Sequence, residues 1–131
     1  MNSNLRTVKT FIWTLAFFTS MISCKTDNSF DYPLVFTGDV INISDSSATF
    51  TGKITNLGKY PISESGFIWS LYHNDNNGIK IRNIETSVGV FSLNTNQKLL
   101  PGKTYYLRAY VQTNNSLTFG REVSFKSGNE E

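Results

Sequence analysis

The clearest fold signal in this chain is the stretch Leu99–Val111, LLPGKTYYLRAYV. Its Leu-x-Pro-Gly segment predicts a turn, because Pro101 fixes φ near a turn value and Gly102 tolerates the conformation that follows. From Tyr105 onward, the residues alternate in character with the period of two that is typical of a strand. The stretch therefore predicts a turn that leads directly into a half-buried β-strand.

The two faces of this strand differ in chemistry. The apolar face, which is predicted to enter a core, consists of Tyr105, Leu107, Ala109 and Val111. The opposite face consists of Tyr106, Arg108, Tyr110 and Gln112. Because β-sandwiches place a tyrosine corner at the start of such a strand, the hydroxyl of Tyr105 is expected to bond back to nearby backbone.

Six further segments alternate in a similar way and are separated by turn-forming residues. They are Pro33–Ile43, broken at Gly38, and then Ala48–Ile54, Ser65–Tyr72, Ile79–Ile84, Val88–Thr95 and Leu117–Lys126. The side chains expected to point inward are Ala48, Phe50, Gly52, Ile54, Phe67, Trp69, Leu71, Phe91, Leu93, Val123 and Phe125. Trp69 is thus predicted to be a structural core residue. Seven short strands predict an all-β fold, a single seven-stranded sandwich.

Four pieces of the chain, taken in order, resemble a known type of domain. They are Ser47–Gly52, Gly66–Ser70, Leu99–Tyr110 and Phe119–Phe125. Together they resemble the fibronectin type III-like domains of bacterial lipoproteins of the Bacteroidetes kind, with Lys103 in place of the usual threonine. The resemblance covers about Val35–Ser127. It implies an immunoglobulin-like β-sandwich and no particular activity.

The first residues are predicted to be a targeting signal. Arg6 and Lys9 precede Phe11–Ile22, an apolar segment of 12 residues that is too short to span a bilayer comfortably. Met21–Cys24 then resembles a bacterial lipobox, which implies cleavage before Cys24 and attachment of a diacylglyceryl group to its sulfur. The alternative is a chance cysteine at the end of an ordinary signal peptide. An unpaired cysteine in an exported protein is reactive, which favours lipidation at this position.

The predicted organisation has four parts. Residues 1–23 are the signal peptide, 24–32 the acylated cysteine and tether, 33–127 the sandwich, and 128–131 a polar tail. The lipid anchor predicts a place in the cell envelope, at the outer membrane, and leaves open whether the protein is exposed at the cell surface. Lys25 and Asp27 weakly resemble a short charged signal for surface export, and the alternative is a solvated linker. The membrane, through this anchor, is the first expected partner.

Net charge excludes one class of partner. The whole chain has 12 Lys and Arg against 10 Asp and Glu. Cleavage removes Arg6 and Lys9, so the mature chain has 12 − 2 = 10 cations against 10 anions, a net charge of zero. Without a basic stripe, nucleic-acid binding loses its electrostatic support.

Residues for catalysis or metal binding are sparse. Cys24 is the only cysteine and His73 the only histidine, so an intrachain disulfide and a cysteine-based zinc site are excluded. The loop Asn74–Gly78 lacks the carboxylate spacing of a calcium loop. Candidate carboxylates, namely Glu64, Asp75, Glu85 and Glu122, are scattered, and no Gly-x-Ser-x-Gly elbow occurs. We therefore expect no enzyme, no cofactor and no metal, with His73 a solvated loop residue.

These observations predict a non-catalytic binding or adhesion module for a glycan, a peptide or an envelope protein. The expected ligand face consists of Tyr106, Arg108 and Tyr110, joined by Tyr72 from the neighbouring strand. Two rings that flank a guanidinium suit stacking on a sugar or contact with a peptide. The same side chains also stabilise a sheet by cross-strand packing. The alternative function is therefore a structural accessory subunit or spacer of an envelope complex.

Overall fold

The computed structural model describes residues 30–84 and 86–129. Cys24, the signal segment, most of the tether and Glu85 lie outside the described residues. The strands are β1 Leu34–Ile41, β2 Thr49–Asn56, β3 Ile62–Ser70, β4 Ile79–Asn83, β5 Gly89–Asn94, β6 Thr104–Thr113, β7 Leu117–Phe119 and β8 Val123–Lys126. Within the described ranges, no helix has the length and apolar character needed to cross a membrane.

The strands form two antiparallel sheets that pack as a β-sandwich. The three-stranded sheet has the order β1-β2-β5. The five-stranded sheet has the order β4-β3-β6-β7, and β8 also pairs with β6. Strands β3 and β6 are central to the larger sheet and pair from Ile62 with Thr113 to Ser70 with Tyr106. The all-β prediction is confirmed.

The core lies between the sheets and consists mostly of the residues that alternation placed inward. Phe50 has no solvent exposure, and its ring packs edge-on against Phe67, Trp69 and Phe125 at centroid distances of 5.5–6.0 Å. Trp69 is 2% exposed and also packs against Tyr105 at 5.4 Å. Core placement of Trp69 is therefore confirmed, and large aromatic rings supply much of the buried apolar area.

The predicted tyrosine corner is present at the start of β6. The Leu100 backbone N–H donates to the Tyr105 hydroxyl at 2.8 Å. Tyr105 is only 4% exposed, and its ring stacks on Phe125 at 5.5 Å. The corner thus fixes the Leu-x-Pro-Gly turn against the strand that follows it.

The prediction of seven strands is wrong, because the last expected strand is interrupted. Strand β7 pairs Tyr110 with Phe119, whereas β8 pairs Leu107 with Val123. Residues 120–122 therefore stand opposite only two residues of β6, which is the geometry of a β-bulge. The extra residue divides the predicted Leu117–Lys126 strand in two and leaves eight strands in the described part of the chain.

The predicted third strand also ends earlier than expected. The Ser70 hydroxyl accepts a hydrogen bond from the Tyr72 N–H at 2.8 Å, which turns the chain away from the ladder. Strand β3 therefore stops at Ser70, and the inward placement of Leu71 is wrong, since Leu71 is 39% exposed. At its other end, β3 begins at Ile62 rather than Ser65.

The sandwich has two ends with different connections. We call "the amino-terminal end" the one at which Phe30 enters β1 and at which the β2–β3, β4–β5 and β6–β7 connections lie. The opposite end is "the distal end". There Gly128, the first residue of the expected polar tail, donates its N–H to the Ser44 carbonyl at 2.8 Å. The chain thus enters at one end and leaves at the other.

Candidate ligand-binding face

The expected ligand face lies on the side of the five-stranded sheet that points away from the core, which we call "the outer face". Register places Lys80 opposite Ile68, and Ile68 opposite Arg108. Two residues along the strands, Arg82 pairs with Gly66, and Gly66 pairs with Tyr110. Side chains at paired positions share a sheet face. The outer face therefore combines Tyr106, Arg108 and Tyr110 of β6 with the cationic side chains of β4.

Tyr110 lies at the centre of this face but has no solvent exposure. Its hydroxyl donates to Glu64 Oε1 at 2.5 Å, and Glu64 Oε2 lies 3.3 Å from Arg82 Nε. The Lys80 ammonium lies 5.3 Å from the ring centroid, in a cation–π contact. Neighbouring side chains therefore cover the ring of Tyr110, and this member of the expected ligand face is buried instead of facing solvent.

Burial also changes the acidity of Tyr110. Removal of the phenol from water raises its pKa, and the hydrogen bond to Glu64 and the charge of that carboxylate raise it further. The positive charge of Arg82 opposes the rise without cancelling it. Tyr110 therefore stays neutral and acts as a hydrogen-bond donor within the sheet.

Arg108 is half-buried and is held from two sides. Its guanidinium lies 4.2 Å from the centroid of the Phe119 ring. Its Nη2 donates to Asn76 Oδ1, in the β3–β4 connection, at 2.5 Å. The connection therefore folds over the outer face, and Arg108 is presented in a preorganised position.

Tyr106 lies nearer the distal end and is partly covered by His73. The two rings are 3.7 Å apart between centroids, with an interplanar angle of 37°. His73 Nδ1 lies 2.7 Å from Glu122 Oε1, and the Asn74 N–H donates to Glu122 Oε2 at 2.6 Å. One carboxylate in the β7–β8 connection thus fixes the start of the β3–β4 connection over Tyr106.

The environment of Glu122 favours its ionised form. Burial alone would raise the pKa of this carboxyl, but the hydrogen bonds from Asn74 and His73 and the positive charges of His73 and Arg108 lower it below its ordinary value. The His73 side chain remains 68% exposed. The expectation of a solvated loop histidine omits this contact with Glu122, which joins two connections distant in sequence.

Tyr72 does not extend the strand register as expected. It lies two residues beyond the end of β3 and is 73% exposed. Among the predicted ligand residues, the structure therefore gathers Tyr106, Arg108 and Tyr110 on one sheet face and places Tyr72 in the following turn. Cys24 lies outside the described residues. In the described ranges, no three His, Cys, Asp or Glu side chains group as a metal site would require.

Comparisons with known proteins give a likeness of fold. No protein-family model and no curated protein matches this sequence. The sensor domain of the anti-sigma factor RsgI4 in Pseudobacteroides cellulosolvens is similar in its shorter form, with a TM-score of 0.59 and 16% identity over 75% of this chain and 96% of that chain. Its longer form gives a TM-score of 0.60 and 15% identity over 76% and 92%. At these identities the likeness shows the β-sandwich fold alone.

Proposed function

We propose that this chain is a membrane-anchored, non-catalytic binding module of the cell envelope. The observation that carries the proposal is the cluster of Tyr106, His73, Glu122, Arg108 and Asn76, whose side chains are held by one another on the outer face. An aromatic ring beside fixed polar groups suits contact with a sugar or a peptide. Because these side chains are already ordered, a ligand does not have to bear the cost of ordering them. The ligand is a glycan, a peptide or another envelope protein.

The position of the cluster supports a role in contact with partners. Tyr106 and the β3–β4 connection lie toward the distal end, away from the end at which the chain arrives from Cys24. A lipid on Cys24 would therefore hold the domain at the outer membrane and turn the cluster outward. The neighbouring structures are described as sensor domains, a role that belongs to those proteins and agrees in kind with a binding module.

The arrangement of strands supports a finer assignment of the fold. A three-stranded sheet faces a sheet in which β6 is central, and β6 carries the tyrosine corner at Tyr105. With the four sequence pieces, this supports a fibronectin type III-like domain of a Bacteroidetes-type lipoprotein. A lipobox ending at Cys24 supports acylation, and the scattered carboxylates support a role without catalysis.

The alternative function is a structural accessory subunit or spacer of an envelope complex. Burial of Tyr110 favours it, because that ring contributes to the sheet and not to a contact surface. Under this alternative, affinity is spread over a wider protein interface, and the outer-face cluster serves stability. The two functions predict different effects of a substitution in the cluster: a binding module loses binding, whereas a spacer loses stability.

The test compares binding and stability in the same variants of the acylated protein. Tyr106→Ala and Arg108→Ala remove parts of the cluster. Phe36→Ala is the matched control, since it removes a ring that is 55% exposed on β1 of the opposite sheet. Binding is measured on a glycan array and by co-purification of envelope proteins from the native host. We expect Tyr106→Ala and Arg108→Ala to lose binding that Phe36→Ala keeps.

The contrary result is equally specific. In that result, Tyr106→Ala keeps binding intact but lowers the free energy of unfolding by more than about 1 kcal/mol, the upper end of cross-strand pair energies. The cluster would then serve the stability of the sheet, and the spacer function would gain support. Turnover of a model substrate would contradict the non-catalytic assignment. Anchoring is tested by Cys24→Ala, which should move the protein out of the membrane fraction.

A further inference from the structure

Both ends of the sandwich expose large apolar side chains, and the amino-terminal end is the one at which the chain arrives from Cys24. Six large apolar residues there are exposed to solvent: Phe30, Tyr32, Leu57, Ile84, Val88 and Leu117. They come from four separate segments, namely the entry to β1, the β2–β3 and β4–β5 connections, and the start of β7. Scattered exposed apolar residues are ordinary on a protein surface, whereas several at one end of a domain are a candidate contact surface when something holds that end against a partner.

Part of this surface is held rigidly by the backbone. The Lys59 N–H donates to the Asp31 carbonyl at 3.1 Å, which ties the β2–β3 connection to the segment that enters β1. Gly58 has a φ of 70°, and a Cβ at this position would lie 2.6 Å from the Tyr32 carbonyl carbon. Only glycine allows so close an approach. Tyr32 and Leu57 are therefore presented from one packed unit, beside shallow grooves of about 290 and 390 Å³.

We infer that the amino-terminal end is a membrane-docking surface that rests in the headgroup region of the bilayer to which the chain is anchored. The inference rests on the proposed acylation of Cys24. Five residues lie between Cys24 and Phe30, and the six Cα-to-Cα steps from one to the other span at most about 20 Å in a fully extended chain. An anchored domain is therefore held beside the bilayer by the same end that carries the six apolar side chains.

The chemistry of the surface suits the interface between lipid and water. Phe30, Leu57 and Ile84 are apolar, whereas the ring of Tyr32 has an apolar body and a polar tip, as is typical of membrane-interface positions. Lys59 lines both grooves and can extend its ammonium to phosphate groups. A weak contact is sufficient, because the tether keeps the local concentration of this surface at the membrane high.

Docking would give the domain a fixed orientation. The distal end and the cluster around Tyr106 would then point away from the bilayer, toward partners outside it. Without docking, the tether would allow the sandwich to tumble, and the outer face would spend part of its time against the lipid. Docking would therefore serve the proposed binding function, because it would keep the candidate site turned away from the bilayer.

The test places a polarity-sensitive fluorophore at matched leucines on opposite ends of the acylated full chain. Leu57→Cys labels the amino-terminal end, and Leu100→Cys labels an exposed leucine in the β5–β6 connection at the distal end. An acylated Cys24 does not react with the label. The proteins are reconstituted in phosphatidylethanolamine and phosphatidylglycerol vesicles, with and without doxyl-labelled lipids that quench fluorophores in the interface.

We expect quenching of at least about twofold at position 57 and little at position 100, since an interfacial surface lies within about 5–10 Å of the acyl boundary. A second matched pair, Tyr32→Cys and Tyr72→Cys, repeats the comparison should one leucine variant fold poorly. Equal, weak quenching at both ends of a protein that floats with the vesicles would overturn docking and leave the anchor intact. Protein that does not float with the vesicles would overturn both the anchor and docking.

Discussion

At the scale of single residues, Tyr105 links the turn that begins the central strand to the core. Its ring is packed between Trp69 and Phe125, and its hydroxyl accepts the Leu100 N–H at 2.8 Å. We expect Tyr105→Phe to lower the free energy of unfolding by about 1 kcal/mol, and more if the Leu100 N–H is left buried without a partner. Urea denaturation measures this, and an unchanged midpoint would show that the corner bond contributes nothing.

A second prediction at this scale concerns Trp69, whose side chain is large and buried and carries an unpaired hydrogen-bond donor. Its indole Nε1 has no hydrogen-bond partner among the described residues. We expect Trp69→Ala to cost about 3–5 kcal/mol through loss of buried area and the cavity left behind. Trp69→Phe should cost clearly less, since phenylalanine fills part of the space and removes an unpaired donor.

The comparison of the two Trp69 variants is made by chemical denaturation. A nearly neutral Trp69→Ala would mean that the indole faces solvent and that the face assigned to β3 is reversed. An equal cost for Trp69→Ala and Trp69→Phe would mean instead that the indole N–H has a partner that matters.

At the scale of elements, the contacts of Glu122 with His73 and the Asn74 N–H join the β3–β4 and β7–β8 connections. Because the pKa of Glu122 is lowered in the folded chain, its ionisation stabilises the fold fully above the ordinary carboxyl pKa of 4.5. That contribution is lost as the pH falls through the lower, folded pKa. We expect Glu122→Gln to cost at most about 1 kcal/mol near pH 7, the usual limit for an exposed pair.

The pH dependence distinguishes this carboxylate from general acid denaturation. Unfolding midpoints of the wild type and of Glu122→Gln, measured from pH 7 to pH 3, should converge as the pH falls below the ordinary carboxyl pKa. Asp75→Asn, a change in the same β3–β4 connection, serves as the control. A difference between wild type and Glu122→Gln that persists unchanged at pH 3 would contradict the role of the ionised carboxylate.

At the scale of the whole molecule, the two sheets are joined along one side by β1. The Ala109 N–H of the larger sheet donates to Thr37 Oγ1 of the smaller sheet at 3.0 Å. Beside it lies Gly120, where an added Cβ would stand 2.7 Å from the Thr37 backbone nitrogen. Residue 120 begins the β-bulge, so this close approach of β1 coincides with the interruption between β7 and β8.

We expect Gly120→Ala to lower the free energy of unfolding by about 1–3 kcal/mol, in the range of an overpacked site, because backbone atoms of β1 must move apart. Ser124→Ala, at an exposed position of β8, is the control and should be close to neutral. Thermal unfolding measures both variants. If Gly120→Ala is as stable as the control, β1 does not approach the larger sheet as closely as described.

The sequence by itself determined the features that depend on neighbours within one strand. Period-two alternation placed Phe50, Phe67 and Leu107 in the core, and the Leu-x-Pro-Gly turn located the tyrosine corner. Side chains two residues apart share a sheet face, so these assignments need no knowledge of the partner strand. The same rule grouped Tyr106, Arg108 and Tyr110 on one face.

The tertiary structure alone decided what covers that face and where the strands break. Tyr110 is buried because Lys80 and Glu64, from strands distant in sequence, close over it. The β7–β8 break reflects a bulge at Gly120, where β1 approaches the larger sheet. Alternation states which way a side chain points. Whether solvent reaches it depends on long-range register and loop packing, which local pattern does not encode.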